Sequence, residues 1–213
     1  MKITKYPQSA ILIEDKGKRV LIDPGKFCYD EDFTPNDWGK INILLITHEH
    51  TDHCQPDAIK IIKESNPNIV ILTNNSVKNI LAAEKIDSEV ISPNEEKEIQ
   101  GFIIRGIKSI HGDLPNGQPK PEVIGFLIDN KIYNPGDTIY LNEKPQADIV
   151  FPPICGTVVM NPEEAAEFSK ETGAQIAIPV HYDNPVFPVD VNDFAKALGP
   201  TAKILNNGEG IEI

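Results

Sequence analysis

Between Leu44 and Ala58 the chain reads LLITHEHTDHCQPDA, which sets His48, His50, Asp52 and His53 within six positions. Three of the five histidines in 213 residues lie in this one segment. Imidazole and carboxylate together suit a divalent metal of the zinc, manganese or iron type. The spacing is not that of HExxH, in which two histidines one helical turn apart share a face. A turn has to arrange these side chains, so that His48 and His50 face one point while Asp52 and His53 face a second. Packing or solvation explains a lone histidine well; it does not explain this concentration.

The other two histidines occur in similar settings. His111 closes the strand-like FIIRGIKSIH, His181 closes AQIAIPVH, and Asp137 follows the tight NPG turn of IYNPGDT. Strand ends are rigid platforms for chemistry carried by loops. The elements that must supply them are legible from periodicity. MKITKY, SAILIE and RVLID, with the turn DKGK, read as antiparallel sheet. INILLIT reads as a buried strand leading into the histidine segment, and QPDAIKIIKES as a helix with Pro56 in its first turn. NIVILT, NNSVKNILAAEK and SEVI continue the alternation of strand and helix. KEIQGFIIRGIKSIHG and VIGFLI open a second set of strands, with a two-residue turn expected at Asp129-Asn130 before KIYN. ADIVFPPI and AQIAIPVHY flank a helix punctuated by Asn161, Pro162, Glu163, Glu164 and Gly173. A helix over DVNDFAKALG and a terminal pair of strands complete the reading, as one domain over residues 1–213.

Composition narrows the partners. The formal charge is −12, from 32 acids against 20 Lys and Arg. Nucleic acids and anionic membranes are disfavoured, because both are gripped through basic residues. A small-molecule substrate is expected, and a homo-oligomer is compatible with the composition. No apolar run approaches the ~20 residues of a membrane helix. The opening residues lack a signal-peptide pattern, so a cytoplasmic location is expected. Cys28, Cys54 and Cys155 are odd in number and unclustered, unlike a disulfide framework.

HxHxDH followed by His111, the Gly136-Asp137 element and His181 resembles the metallo-β-lactamase superfamily over nearly the whole chain. The opening MKITKYPQSAILIE, the VLIDPG loop and PPICGTVVMNPEEAAEF through IPVHY are similar to its ascorbate-6-phosphate lactonase-like branch of metal-dependent hydrolases. The resemblance implies an α/β (α+β) fold, a four-layer αββα sandwich with two metals at the edge of its sheets. It further implies that His48, His50 and His111 bind one metal and Asp52, His53 and His181 the other, with Asp137 bridging. Zinc is the first expectation for both ions, with manganese or iron using the same residues. Because His50 stands where di-iron flavoprotein relatives carry Glu, a redox centre is disfavoured. The implied chemistry is hydrolysis by a metal-activated hydroxide, with Asp52 also orienting that hydroxide and taking its proton. Relatives of the branch carry Gly-His-Ser where this chain has Pro7-Gln8-Ser9, which removes any polar contact that histidine made near the site.

Other residues are weighed on their own. Tyr29, Phe33 and Trp38 in the long loop after Asp23 are candidates for a substrate lid, with packing as the alternative; Tyr29, Trp38 and Tyr182 are the candidate substrate contacts. Asp23 either hydrogen-bonds a ligand histidine or shapes the turn before Pro24. Cys54 reads as a small buried hydrophobe, and Cys155 as a residue near the pocket mouth. Lys26, Lys120 and Arg105 are the hints of an anion subsite. The function expected is cleavage of a small metabolite, phosphorylated or lactone-containing, or of another ester. A phosphodiesterase, a non-catalytic metal-binding module and an iron-dependent oxidoreductase are the alternatives.

Overall fold

The computed structural model describes residues 1–115 and 117–213. In the first sheet β1 (Lys2–Lys5), β2 (Ile11–Asp15) and β3 (Lys18–Ile22) are antiparallel neighbours. β4 (Ile43–Leu45), β5 (Val70–Thr73) and β6 (Glu89–Val90) then add in parallel. The second sheet begins with the antiparallel β7 (Glu96–Ile99), β8 (Phe102–Lys108), β9 (Ile124–Ile128) and β10 (Ile132–Asn134). β11 (Ile149–Val150) and β12 (Ile176–Ala177) extend it in parallel. The helices are α1 (Pro56–Ser65), α2 (Asn75–Ala83), α3 (Pro162–Glu171) and α4 (Val191–Leu198).

Alternation along the strands builds three apolar layers. Ile11, Ile13, Val20, Ile22, Ile43 and Leu45 face the second sheet, where they meet Phe102, Ile104, Phe126 and Ile128. Their neighbours Leu12, Leu21 and Leu44 face the other way, towards Ile59 and Ile62 of α1 and Val77 and Leu81 of α2. On the far side Leu127, Tyr133 and Val150 pack against Phe168 of α3 and Phe194 of α4. The result is the helix–sheet–sheet–helix order expected from the sequence. Central strands covered on both faces, such as β4 and β9, read as unbroken apolar runs.

Two local expectations are corrected. Asp129 and Asn130 are both left-handed, at φ 51° and 53°. Pairing of Ile128 with Ile132 nevertheless leaves Lys131 in the loop too, one residue more than a two-residue turn. The expected terminal strand pair is a single strand, β13 (Gly210–Glu212), which pairs with β1 at the opposite end of the chain. The residues before it form one isolated bridge, Ala177 with Ala202. Helix α3 starts at the expected Asn161 cap, and the structure adds a full capping box, with Asn161 and Glu164 each accepting from the other's backbone amide. Among the described residues no helix is long and apolar enough to cross a membrane.

Strand direction decides where the chemistry collects. β3 and β4 are parallel, so Asp23 and the histidine segment leave the first sheet at the same edge. In the second sheet β8, β10, β11 and β12 all run one way, which brings the loops carrying His111, Asp137 and His181 to one edge.

Candidate metal centre

All seven side chains named from the sequence meet where those edges adjoin. Three groups have ligand atoms within 4.8 Å of one another: His48, His50 and His111; His48, His53 and Asp137; and Asp52, His53 and His181. Asp137 is central. Its Oδ2 lies 3.1 Å from His181 Nε2, 3.7 Å from His111 Nε2 and 3.9 Å from His48 Nε2, and its Oδ1 lies 3.3 Å from His53 Nε2.

The backbone is fitted closely to this purpose. A Cβ at Gly25 would stand 1.9 Å from the backbone carbon and oxygen of Asp52, so the loop after β3 reaches the histidine segment only because residue 25 has no side chain. Lys26 N–H donates to Thr51 O across the same contact. Gly136, at φ +64°, turns the chain so that Asp137 points inward, and any Cβ there would meet Thr47 at 2.9 Å. Gln8, Asp23 and His181 are non-glycine residues in the left-handed region, at φ 64°, 49° and 61°. Such strain persists only where surrounding contacts enforce it.

Hydrogen bonds fix the direction of the rings. Asp23 Oδ2 accepts from the Thr47 hydroxyl at 2.7 Å and lies 2.9 Å from His53 Nδ1, while Asp23 Oδ1 accepts from Thr47 N–H. The Thr47 proton is thereby committed, so the 3.1 Å contact from His48 Nδ1 to Thr47 Oγ1 has the imidazole as donor. His111 Nδ1 lies 2.8 Å from Gly112 O and donates to it. In all three rings the outer nitrogen is occupied and Nε2 is turned inward. His48, His53 and His111 are buried, yet their Nε2 atoms and Asp137 Oδ1 have no hydrogen-bond partner. Buried polar atoms are rarely left unpaired. Imidazole nitrogens and a carboxylate oxygen converging in this way are a donor set that fits divalent metal ions.

Electrostatics agree with that donor set. Burial depresses His53, but Asp137, Asp23 and Asp52 around it prevail and push it up to about 10. His181 is likewise raised, with Asp137 overcoming its burial. Asp137 is held well below the usual carboxylate range by His181 and His53 against the opposing effect of burial. Asp52 is lowered too, since the charge of His53 outweighs its desolvation. His48 and His50 go the other way, lowered first by burial and then by neighbouring imidazoles. The cluster thus holds protons where cations would replace them.

A cavity of about 360 Å³ opens onto the cluster, with His50, Asp52, His111, Asp137 and His181 on its floor. Its walls are Phe27, Leu114, Val158, Val186 and Phe187, with Lys26 and Asn184 beside them. The candidate substrate contacts Tyr29, Trp38 and Tyr182 do not line it. Trp38 is 2% exposed and packs with Tyr6 (4.4 Å between ring centroids) and Tyr29 (6.2 Å) against the first sheet. Tyr29 donates its hydroxyl proton to Pro24 O, and Tyr182 donates to Leu205 O. Aromatic bulk drew those three residues into the apolar layers. Of the suggested cations, Lys26 alone reaches the cavity; Lys120 pairs with Asp113, and Arg105 lies by Lys108 and Lys144 in another depression. Cys54 is in the apolar layer beneath α1, as expected, and Cys155 packs with Val158 and Val159 beside the wall.

Sequence reasoning passed over one contact. Gln8 Nε2 donates to Asp52 Oδ2 at 2.9 Å, so a polar contact stands where the histidine of Gly-His-Ser is missing. The Gln8 backbone is held at both ends, its N–H by Asp183 Oδ1 and its carbonyl by His181 N–H. Asp183 in turn is anchored by the fully buried Lys5. The departure from the expected motif was the signal, and only the fold could show what it served.

The fold and this donor set define a class. The chain belongs to the family described as β-lactamase superfamily domain, which matches residues 2–181. Within it the chain belongs among the UPF0173 metal-dependent hydrolases: the relative from Geobacillus thermodenitrificans is 30% identical over the full length of both chains. A second relative of that name, from Thermoplasma acidophilum, is 33% identical over 78% of this chain and 76% of its own. Among solved structures, a metallo hydrolase of the hyperthermophilic archaeon Ignicoccus hospitalis superposes with a TM-score of 0.81 at 21% identity, covering 99% of this chain and 97% of that one. At that identity the likeness speaks for the fold.

Proposed function

We propose that this protein is a hydrolase that works through two divalent metal ions, zinc in the first instance, and cleaves a small carboxylic ester, lactones included. The observation that carries this reading is the convergence of three buried, unpartnered Nε2 atoms, each with its Nδ1 occupied, on the Asp137 carboxylate. His48, His50 and His111 would hold one ion, and Asp52, His53 and His181 the other, with Asp137 between them. When bound, such ions lower the pKa of water towards about 7 and polarise the carbonyl oxygen of a substrate. The chain does the rest. Asp52, kept ionised and steadied by Gln8, accepts a hydrogen bond from the attacking water and relays its proton to the leaving oxygen. Asp23 and Thr47 keep His48 and His53 in the tautomers that present Nε2. The names of the relatives support metal-dependent hydrolysis in general.

Elemental analysis of protein purified without added metal tests this directly. About two zinc or manganese ions per chain, falling in Asp137→Ala, are expected. One iron per chain would redirect the reading to oxidative chemistry, and no metal even after reconstitution would end it. Turnover of lactones and esters, compared with bis(p-nitrophenyl) phosphate, then separates carboxylic ester cleavage from phosphodiester cleavage.

A further inference from the structure

The wall of the cavity has a composition that the cluster beneath it does not require. Cys155, Val158 and Val159, with Leu114 and Phe187 packed on them, form a small apolar cluster detached from the three layers of the fold. Phe27 closes the other side, and Val186 stands 65% exposed at the rim. These side chains come from four different loops, and two of those loops also deliver a candidate ligand: Leu114 follows His111, and Val186 and Phe187 follow His181. A separate apolar cluster that lines an open cavity above a polar floor marks a binding surface.

Charge selects in the same direction. Lys26 is the one Lys or Arg among the described lining residues, it is exposed, and its ammonium lies over the Phe27 ring at 4.7 Å. Asn184 and Thr51 are the other polar lining side chains outside the candidate ligands, and Asn184 is already engaged: Oδ1 accepts from Val186 N–H and Nδ2 donates to Asp52 Oδ2 at 3.5 Å. A phosphorylated or polyhydroxylated substrate needs several convergent donors, which the described wall residues do not supply. The size, about 360 Å³, is at the lower end of the ~300–1,000 Å³ typical of ligand pockets.

From this geometry we infer that the substrate is a small ester or lactone with an uncharged, apolar acyl part. That part lies against Phe27, Leu114, Val158, Val186 and Phe187, with its carbonyl over the His/Asp cluster. The inference rests on the hydrolase reading above. Water adds to the acyl carbon, the carbon–oxygen bond to the alcohol breaks, and the proton lost by water passes to the departing alkoxide, giving acid and alcohol.

The test uses the zinc-reconstituted full chain with p-nitrophenyl acetate, butyrate and hexanoate and the carboxylate-bearing succinate monoester. Each buried methylene is worth about 0.8 kcal/mol, so kcat/KM is expected to rise up to about fourfold per methylene, with the succinate ester no better than acetate. Phe187→Ser and, separately, Val158→Ser should flatten the rise. A flat or falling series, or preference for succinate, overturns the inference while leaving ester hydrolysis intact. If no ester is cleaved, the hydrolase reading fails separately, and calorimetric titration with acetate, butyrate and hexanoate decides this point alone. Tightening with chain length, lost in Phe187→Ser, upholds an apolar acyl subsite; equal affinities overturn it.

Discussion

Gln8 and Asp52 are 44 positions apart, and the amide of one holds the carboxylate of the other at 2.9 Å. The same residue accepts from the backbone of His181. One glutamine therefore touches two of the three members of the group formed by Asp52, His53 and His181. Hydrogen-bonding partners of ligating groups typically govern affinity by about 10–100-fold.

Gln8→Ala should accordingly weaken metal binding in that group by about tenfold or more while sparing His48, His50 and His111. Chelator competition with zinc, read as two separate binding steps, measures this. Equal weakening of both steps would show a general loss of structure instead.

Asp23→Asn should disturb both groups, because Asp23 accepts from Thr47 and faces His53 Nδ1, and Thr47 in turn accepts from His48. An amide cannot accept all of these, and a buried unsatisfied donor costs about 1–3 kcal/mol. Urea denaturation of the metal-free variant gives the stability loss, and zinc affinity should fall at both steps.

The metal-free chain should lose stability as pH rises above neutrality. His53 is raised to about 10 by its acidic neighbours. Its contribution is fully present below the ordinary histidine pKa of about 6.5 and disappears as pH climbs from there to about 10. Asp52 and Asp137, being depressed, contribute above the ordinary carboxylate range and lose that contribution only in acid. Melting temperatures from pH 7 to 10 should fall for metal-free protein and fall less in Asp137→Asn. Zinc binding at pH 7 should release about two protons, one each from His53 and His181, measurable by calorimetry in buffers of different ionisation enthalpy.

Trp38→Phe separates packing from substrate contact. The indole is buried, outside the cavity, and its Nε1 has no hydrogen-bond partner. The variant should keep kcat/KM within about twofold and change stability by no more than about 1.5 kcal/mol. A large rise in KM with unchanged stability would restore Trp38 to the substrate site.

What could be read from the sequence follows physical range. Local signals were clear: apolar runs for strands covered on both faces, Asn161 as a helix cap, and glycine where Gly136 has to turn. The seven ligand candidates were legible because few roles other than metal binding ask for that concentration of imidazole at strand ends. The wall residues were not legible, since Phe27, Leu114 and Phe187 acquire meaning only when distant loops meet. Trp38 and Tyr29 misled for the complementary reason: an aromatic in a loop looks like a lid, yet its large apolar area draws it inward when a sheet face lies near. Gln8 shows a third limit, since its left-handed backbone depends on Asp183 and His181, neither of which is near it in sequence.

The position of the cluster at the adjoining edges of two sheets bears on how the protein matures. His48, His50, Asp52 and His53 come from the first sheet, and His111, Asp137 and His181 from the second. Both trios draw on both sheets, so neither forms until the halves dock, and the second waits for residue 181 as well. On the two-ion reading proposed above, occupancy of that second trio would be a chemical record of completed synthesis and folding. Scarce metal would leave a population of assembled but unfastened molecules, drawn into the fastened form by mass action as metal becomes available.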